Sequence, residues 1–140
     1  MRVVLDASVI LKWLFADPGR EDLTKEATGM VEAVVAGRFS TVQPIHWLAE
    51  VAAVLARETP ETAARDIALL SGLQFAVADD PAVMQQACRL SIGLKQHLFD
   101  TLYHAVALEN DATLISADRR YYLKARCAGR IVYLADWTTL

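Results

Sequence analysis

Short apolar runs alternate with helical stretches along this chain. That alternation restricts it to a mainly parallel α/β sheet with helices packed on both faces. Residues 2–5 read as the first strand and residues 8–15 as a short helix, which stops before the turn cluster Asp17-Pro18-Gly19. A second helix is expected over about 21–36, closed by Gly37, and a second strand over 39–43, broken by Pro44. Residues 45–57 have helical composition, with Trp47, Leu48, Val51, Val54 and Leu55 near helical spacing. Thr59 is the expected N-cap, and Pro60 the first position, of a helix running to about Ser71. A third strand follows over 74–78, then a helix from Asp80-Pro81 to near Gly93 and another over 99–109. A strand over 113–115, a helix over 119–126 and a last strand over 131–134 complete the pattern. With no repeat, low-complexity stretch or long linker, one domain spanning 1–140 is expected.

The 140 residues suffice for a sizeable core, and a chain that is 54% hydrophobic and 22% charged is not disordered. No apolar segment approaches the roughly 20 residues needed to span a bilayer. The first apolar run is broken by Asp6 and does not read as a secretory signal, so a cytoplasmic protein without membrane contact is expected. The net charge of −3 argues against a nonspecific nucleic-acid coat but leaves room for a nuclease whose acids are neutralised by metal. Among the late basic residues, Arg120 and Lys124 lie one helical turn apart, fitting either a phosphate backbone or a solvated helix face. Cys88 and Cys127 lack CxxC spacing and are expected to be reduced and packed against helices.

Four acids stand inside or beside apolar stretches: Asp6, Glu50, Asp100 and Asp118. Burying charge costs several kcal/mol unless it is paired or metal-bound. Asp6 ends the first strand, where open α/β sheets gather ligands, yet it could equally cap the following helix. Asp118 could cap the helix after it, and Asp100 could be an early-turn acid favoured by the helix dipole. Glu50 is harder to explain structurally, because its helix offers almost no other polar residue between His46 and Arg57 to define a solvent face. A cluster of acids around one or two divalent cations suits phosphodiester hydrolysis. Ser8 and Ser116, each two residues from a candidate aspartate, fit either ligand-holding serines or satisfied turn serines.

His97, Asp100 and His104 offer a competing transition-metal reading at loose i, i+3, i+7 spacing, without an HExxH motif. His46 is expected to cap a helix or sit on the surface. The three tryptophans are expected to pack or sit at an interface. Phosphate-loop, dinucleotide-binding and acyl-transfer serine motifs are absent.

Taken in order, the four acids resemble the PIN-domain ribonucleases, and especially the VapC-type toxins of toxin–antitoxin pairs. Val3-Val4-Leu5-Asp6-Ala7-Ser8-Val9 is similar to the family's opening strand and Asp-x-Ser. Glu50, followed by Val51-Ala52-Ala53-Val54-Leu55, matches its helical glutamate, and the run from Phe99-Asp100 to Leu108 its Asp-headed, alanine-rich helix. Thr113-Leu114-Ile115-Ser116-Ala117-Asp118 resembles the closing strand and Thr/Ser-x-Asp. A further acid sometimes found shortly after that aspartate is replaced here by Arg119-Arg120-Tyr121-Tyr122, leaving the number of metal ions at one or two. The resemblance implies a three-layer α/β/α fold with about five mainly parallel strands and an endoribonuclease dependent on Mg²⁺ or Mn²⁺. It makes Asp6, Asp100 and Asp118 metal ligands, with Glu50 binding metal or positioning the attacking water. It further implies an RNA substrate, a small cognate antitoxin, and a homodimer or toxin–antitoxin hetero-oligomer. The alternative is a catalytically weak PIN-like protein-interaction module.

Overall fold

The structure is a computed structural model that describes residues 1–15, 17, 19 and 22–140. Pro18 of the expected turn and Glu21, the expected start of the second helix, lie outside the described residues. The strands are β1 (Arg2–Leu5), β2 (Ser40–Pro44), β3 (Ala76–Ala78), β4 (Thr113–Ser116) and β5 (Ile131–Tyr133). The helices are α1 (Ala7–Phe15), α2 (Thr24–Val35), α3 (Trp47–Glu58), α4 (Ala63–Gly72), α5 (Pro81–Leu94), α6 (Leu98–Glu109) and α7 (Arg119–Ala125). Two 3₁₀ segments, Arg126–Ala128 and Leu134–Thr139, finish the chain.

All strand pairs are parallel, in the order β3-β2-β1-β4-β5. From β1 the chain steps outward to β2 and β3. It then crosses back to β4 and steps outward to β5 in the other direction. With right-handed crossovers, this reversal puts α1–α4 on one face of the sheet and α5–α7 on the other. The direction changes between β1 and β4, and such a switch point opens a crevice at the carboxyl ends of the two strands. The two strands are neighbours, with Leu5 opposite Ile115, so Asp6 leaves β1 level with Ser116.

The core follows from the apolar runs. Val3, Val4 and Leu5 are buried, as are Leu114 and Ile115 beside them. Every residue from Thr101 to Ala107 is buried in α6, which packs on α5, β1, β2 and β4. A helix that is apolar on all sides belongs inside. Trp137, in the final 3₁₀ segment, lies edge-on to Phe39 and over Gly29, where a Cβ would come within 3.1 Å of the indole.

Several expected boundaries move for identifiable reasons. Pro44 completes β2 instead of breaking it, because it pairs with Ala78 at the end of the short outer strand. Thr59 closes α3 through a bond from its hydroxyl to the Leu55 carbonyl (3.3 Å), and the next helix starts at Ala63. β3 begins only at Ala76, after Gln74 adopts a left-handed φ of 52°. The helix start at Asp80-Pro81 is as expected, and the Asp80 carboxylate caps it by accepting the Ala82 amide (2.7 Å). Cys88 and Cys127 are both free and exposed, not packed. No helix among the described residues is long and apolar enough to cross a membrane.

Candidate active site

Asp6 sits where β1 ends, its backbone held to β4 by a bond from its amide to the Ile115 carbonyl (3.0 Å). The other neighbour of β1 is held differently. Past Val3↔Thr41 the buried Gln43 inserts its side chain between the strands. Its Oε1 accepts the Leu5 amide and its Nε2 donates to the Leu5 carbonyl, both at 2.8 Å. A side-chain amide thus replaces a ladder rung one residue before Asp6. Sequence reading passed over Gln43, although a glutamine inside a buried strand needs partners for its amide.

Asp6 Oδ2 accepts hydroxyl hydrogen bonds from Ser8 and from Ser116, the latter at 3.0 Å. The Ser8 oxygen in turn accepts the Ala117 amide, and the Ser116 oxygen the Asp118 amide, each at 3.1 Å. Both serines are therefore satisfied on donor and acceptor sides, and together they fasten the β1 end to the β4 end. Asp118 is exposed and caps α7, with its Oδ1 accepting the Tyr121 amide (2.9 Å), as the capping alternative anticipates.

Glu50 lies in the first turn of α3, with its side chain 32% exposed. The expectation of a mid-helix glutamate lacking a polar face is corrected here. The outer face of α3 consists of Ala49, Ala53 and Ala56 alongside Arg57, and small apolar residues face water at little cost. Glu50 Oε2 accepts the Tyr103 hydroxyl (2.9 Å) and lies 3.1 Å from His46 Nε2. His46 occupies the N-cap position without side-chain capping and also reaches the Phe99 carbonyl (3.0 Å). Neither Tyr103 nor His46 was a candidate from sequence; the spacing His46–Glu50 (i, i+4) is the signal that could have found the histidine. Asp100 is in the first turn of α6, its Oδ2 accepting the Gln96 amide (2.8 Å). The transition-metal reading is overturned. His104 is buried, with Nε2 on the Gly129 carbonyl (2.7 Å) and Nδ1 on the Tyr121 hydroxyl (3.1 Å), while His97 accepts the Phe99 amide. Lys124 is tied to the Lys95 carbonyl and Gln96, at 3.2 Å each.

The electrostatics bind three of the four acids into one group. Burial lifts the Asp6 carboxyl to about 6, against the pull of the Ser8 and Ser116 hydroxyls, and the charges of Glu50 and Asp100 add to the rise. Tyr103 is pushed above the ordinary tyrosine range by burial and by the same acids. Tyr121 is raised by burial and by the charges of Asp6, Asp100 and Asp118. Among the described residues no three His, Cys, Asp or Glu side chains stand close enough together to hold a metal ion. The donor chemistry nevertheless fits a hard divalent cation, since the crevice offers carboxylate and hydroxyl oxygens and Mg²⁺ keeps several waters between few protein ligands.

The family profile described as the PIN domain matches residues 3–126. No curated protein matches the chain by sequence. Among solved structures, VapBC-1 from nontypeable Haemophilus influenzae is similar at a TM-score of 0.69 and 17% identity, over 96% of this chain and 99% of that one. A toxin–antitoxin complex from Klebsiella pneumoniae matches at 0.67 and 17%, over 96% and 98%. PAE2754 from Pyrobaculum aerophilum matches at 0.67 and 15%, over 99% and 92%.

Proposed function

Because the chain belongs to the PIN domain family, we propose that it is a metal-dependent endoribonuclease and the VapC-type toxin of a toxin–antitoxin pair, with a small antitoxin as its protein partner in the cytoplasm. The observation that carries the reading is Asp6. A largely buried carboxylate at the switch point, hydrogen-bonded on one oxygen and crowded by Glu50 and Asp100, is a charge excess that a divalent cation relieves. The fold likeness to chains from toxin–antitoxin complexes supports the biological role.

In this reading Asp6, Asp100 and Asp118 hold Mg²⁺ or Mn²⁺, and Glu50 binds the ion or positions the attacking water. A bound divalent ion lowers the pKa of its water and stabilises charge on the attacking and leaving oxygens. The chain's own part is orientation and proton handling. The serine hydroxyls hold Asp6 Oδ2 and leave Oδ1 for the ion, and Glu50, where it positions the attacking water, takes the proton through Oε1. The water oxygen bonds to phosphorus as the bond to the leaving sugar oxygen breaks. RNA cleavage by the purified protein in Mg²⁺ or Mn²⁺, set beside Asp6→Asn and Asp100→Asn, tests this. Loss of about 100-fold or more in both variants is expected, given the several kcal/mol such charge stabilisation supplies. Equal cleavage by all three proteins would sink it.

The dispersal of the acids favours a second reading, a PIN-like interaction module with weak catalysis. Calorimetry separates the two: a stable complex with a protein partner and no heat of Mg²⁺ or Mn²⁺ binding would select the module.

A further inference from the structure

We propose that His46 and Tyr103 are positioning residues that fix the Glu50 carboxylate relative to Asp100, so that one oxygen, Oε1, is left to face the crevice. The inference rests on the nuclease reading of the site. Both groups converge on the same oxygen: the Tyr103 hydroxyl donates to Oε2 at 2.9 Å, and His46 Nε2 lies 3.1 Å from it as an ion-pair contact. His46 Nε2 also lies 3.0 Å from the Phe99 carbonyl. A carbonyl oxygen only accepts, so Nε2 carries the hydrogen and gives it to Phe99, while Glu50 Oε2 sits at ion-pair distance from the same N–H edge.

The two anchors come from opposite directions. His46 precedes α3 and reaches Glu50 one turn along its own helix. Tyr103 lies on α6, three residues after Asp100, and is fully buried. Phe99, whose carbonyl accepts the imidazole hydrogen, is the residue before Asp100. A single ring therefore joins the helix that carries one acid to the helix that carries another, across the gap between the two faces of the sheet.

The ring itself is held by packing. Its centroid is 5.2 Å from that of Phe99 and 4.9 Å from that of Tyr103. His46 Nδ1 is buried without a protein partner, so Nε2 carries all of the ring's protein hydrogen bonds. Groups that orient a metal-site carboxylate in this way affect metal affinity or activity by about 10–100-fold when removed.

The test compares Tyr103→Phe, His46→Ala and His46→Gln with wild type, after thermal melts establish that each is folded. Cleavage of RNA in Mn²⁺ gives kcat and KM, and crystal structures of the metal-free variants give the Glu50 rotamer. Tyr103→Phe and His46→Ala are expected to lose about tenfold or more in kcat with KM for RNA unchanged. His46→Gln, which keeps an N–H within reach, is expected to recover most of the loss. Glu50 is expected to leave its position in the Tyr103→Phe and His46→Ala crystals. An active wild type and inactive Asp6→Asn, combined with wild-type kcat in Tyr103→Phe and His46→Ala, would overturn the proposal. If wild type itself cleaves nothing, the nuclease reading fails separately, and an unmoved Glu50 in both crystals overturns the positioning role on its own.

Discussion

Ser116 Oγ donates to Asp6 Oδ2 at 3.0 Å and accepts the Asp118 amide at 3.1 Å, so one buried hydroxyl joins the acid that ends β1 to the acid that follows β4. The Ser116 hydroxyl holds the Asp6 pKa down against burial. In Ser116→Ala the carboxyl loses that donor and the Asp118 amide loses its acceptor. The acid limb of the cleavage pH profile is expected to move to higher pH, with activity at pH 6 falling by about tenfold. Ser116→Thr keeps the hydroxyl and is expected to retain the wild-type profile.

Asp6 also sets a stability prediction for the metal-free protein. Its folded pKa stands at about 6 against an ordinary 3.8, so the fold favours the protonated acid. The penalty for ionising it is absent below about pH 4, grows as pH rises, and is complete above about pH 6, at a magnitude of about 3 kcal/mol. An asparagine oxygen can accept both serine hydroxyls without the charge. Metal-free Asp6→Asn is therefore expected to be more stable than wild type at pH 7.5, by about 1–3 kcal/mol in urea denaturation, and to lose that advantage by pH 4. Added Mg²⁺ is expected to raise Tm in wild type and not in the variant.

His104 shifts in the other direction. Burial lowers its folded pKa below 6.5, so the unfolded chain binds more protons as pH falls through that value. The neutral ring's contribution is fully present above pH 6.5 and is lost progressively on acidification below it. Denaturation of the Asp6→Asn protein, free of the opposing carboxyl, is expected to show stability falling between pH 7 and pH 5. An NMR titration of His104 with a midpoint at or above 6.5 would contradict this.

Gln43 is the expected weak point of the scaffold. Gln43→Leu keeps the bulk but strands both the amide and the carbonyl of Leu5 in the interior, at about 1–3 kcal/mol for each group. A loss of about 2–5 kcal/mol in urea denaturation is expected. A loss below 1 kcal/mol would show that the inserted amide is dispensable.

The strand–helix alternation was legible because strands such as β1 carry apolar runs like Val3-Val4-Leu5, and because Asp80-Pro81 is a strong start signal. The order of the strands was not, since nothing local to Leu5 or Ile115 encodes that they pair. Glu50 stands out in sequence because its helix is nearly without polar residues, but alanines, which tolerate water, make its outer face. Tyr103 is not legible because its role depends on a contact 53 residues apart in sequence, from α6 to α3, whereas His46 lies one turn from Glu50 and reads locally as a cap or surface residue. Each serine reads in sequence with the aspartate two residues away; that both hydroxyls converge on one oxygen of Asp6 depends on the β1–β4 register.

The most direct test is the dependence of RNA cleavage on Mn²⁺ concentration, measured on chelator-stripped wild type and Asp6→Asn side by side. Cleavage that is absent without metal, rises to saturation with Mn²⁺ in wild type, and stays near background in Asp6→Asn is the expected result. Cleavage by wild type that is indifferent to metal, or an Asp6→Asn curve that overlays it, would contradict a metal-dependent site built on Asp6.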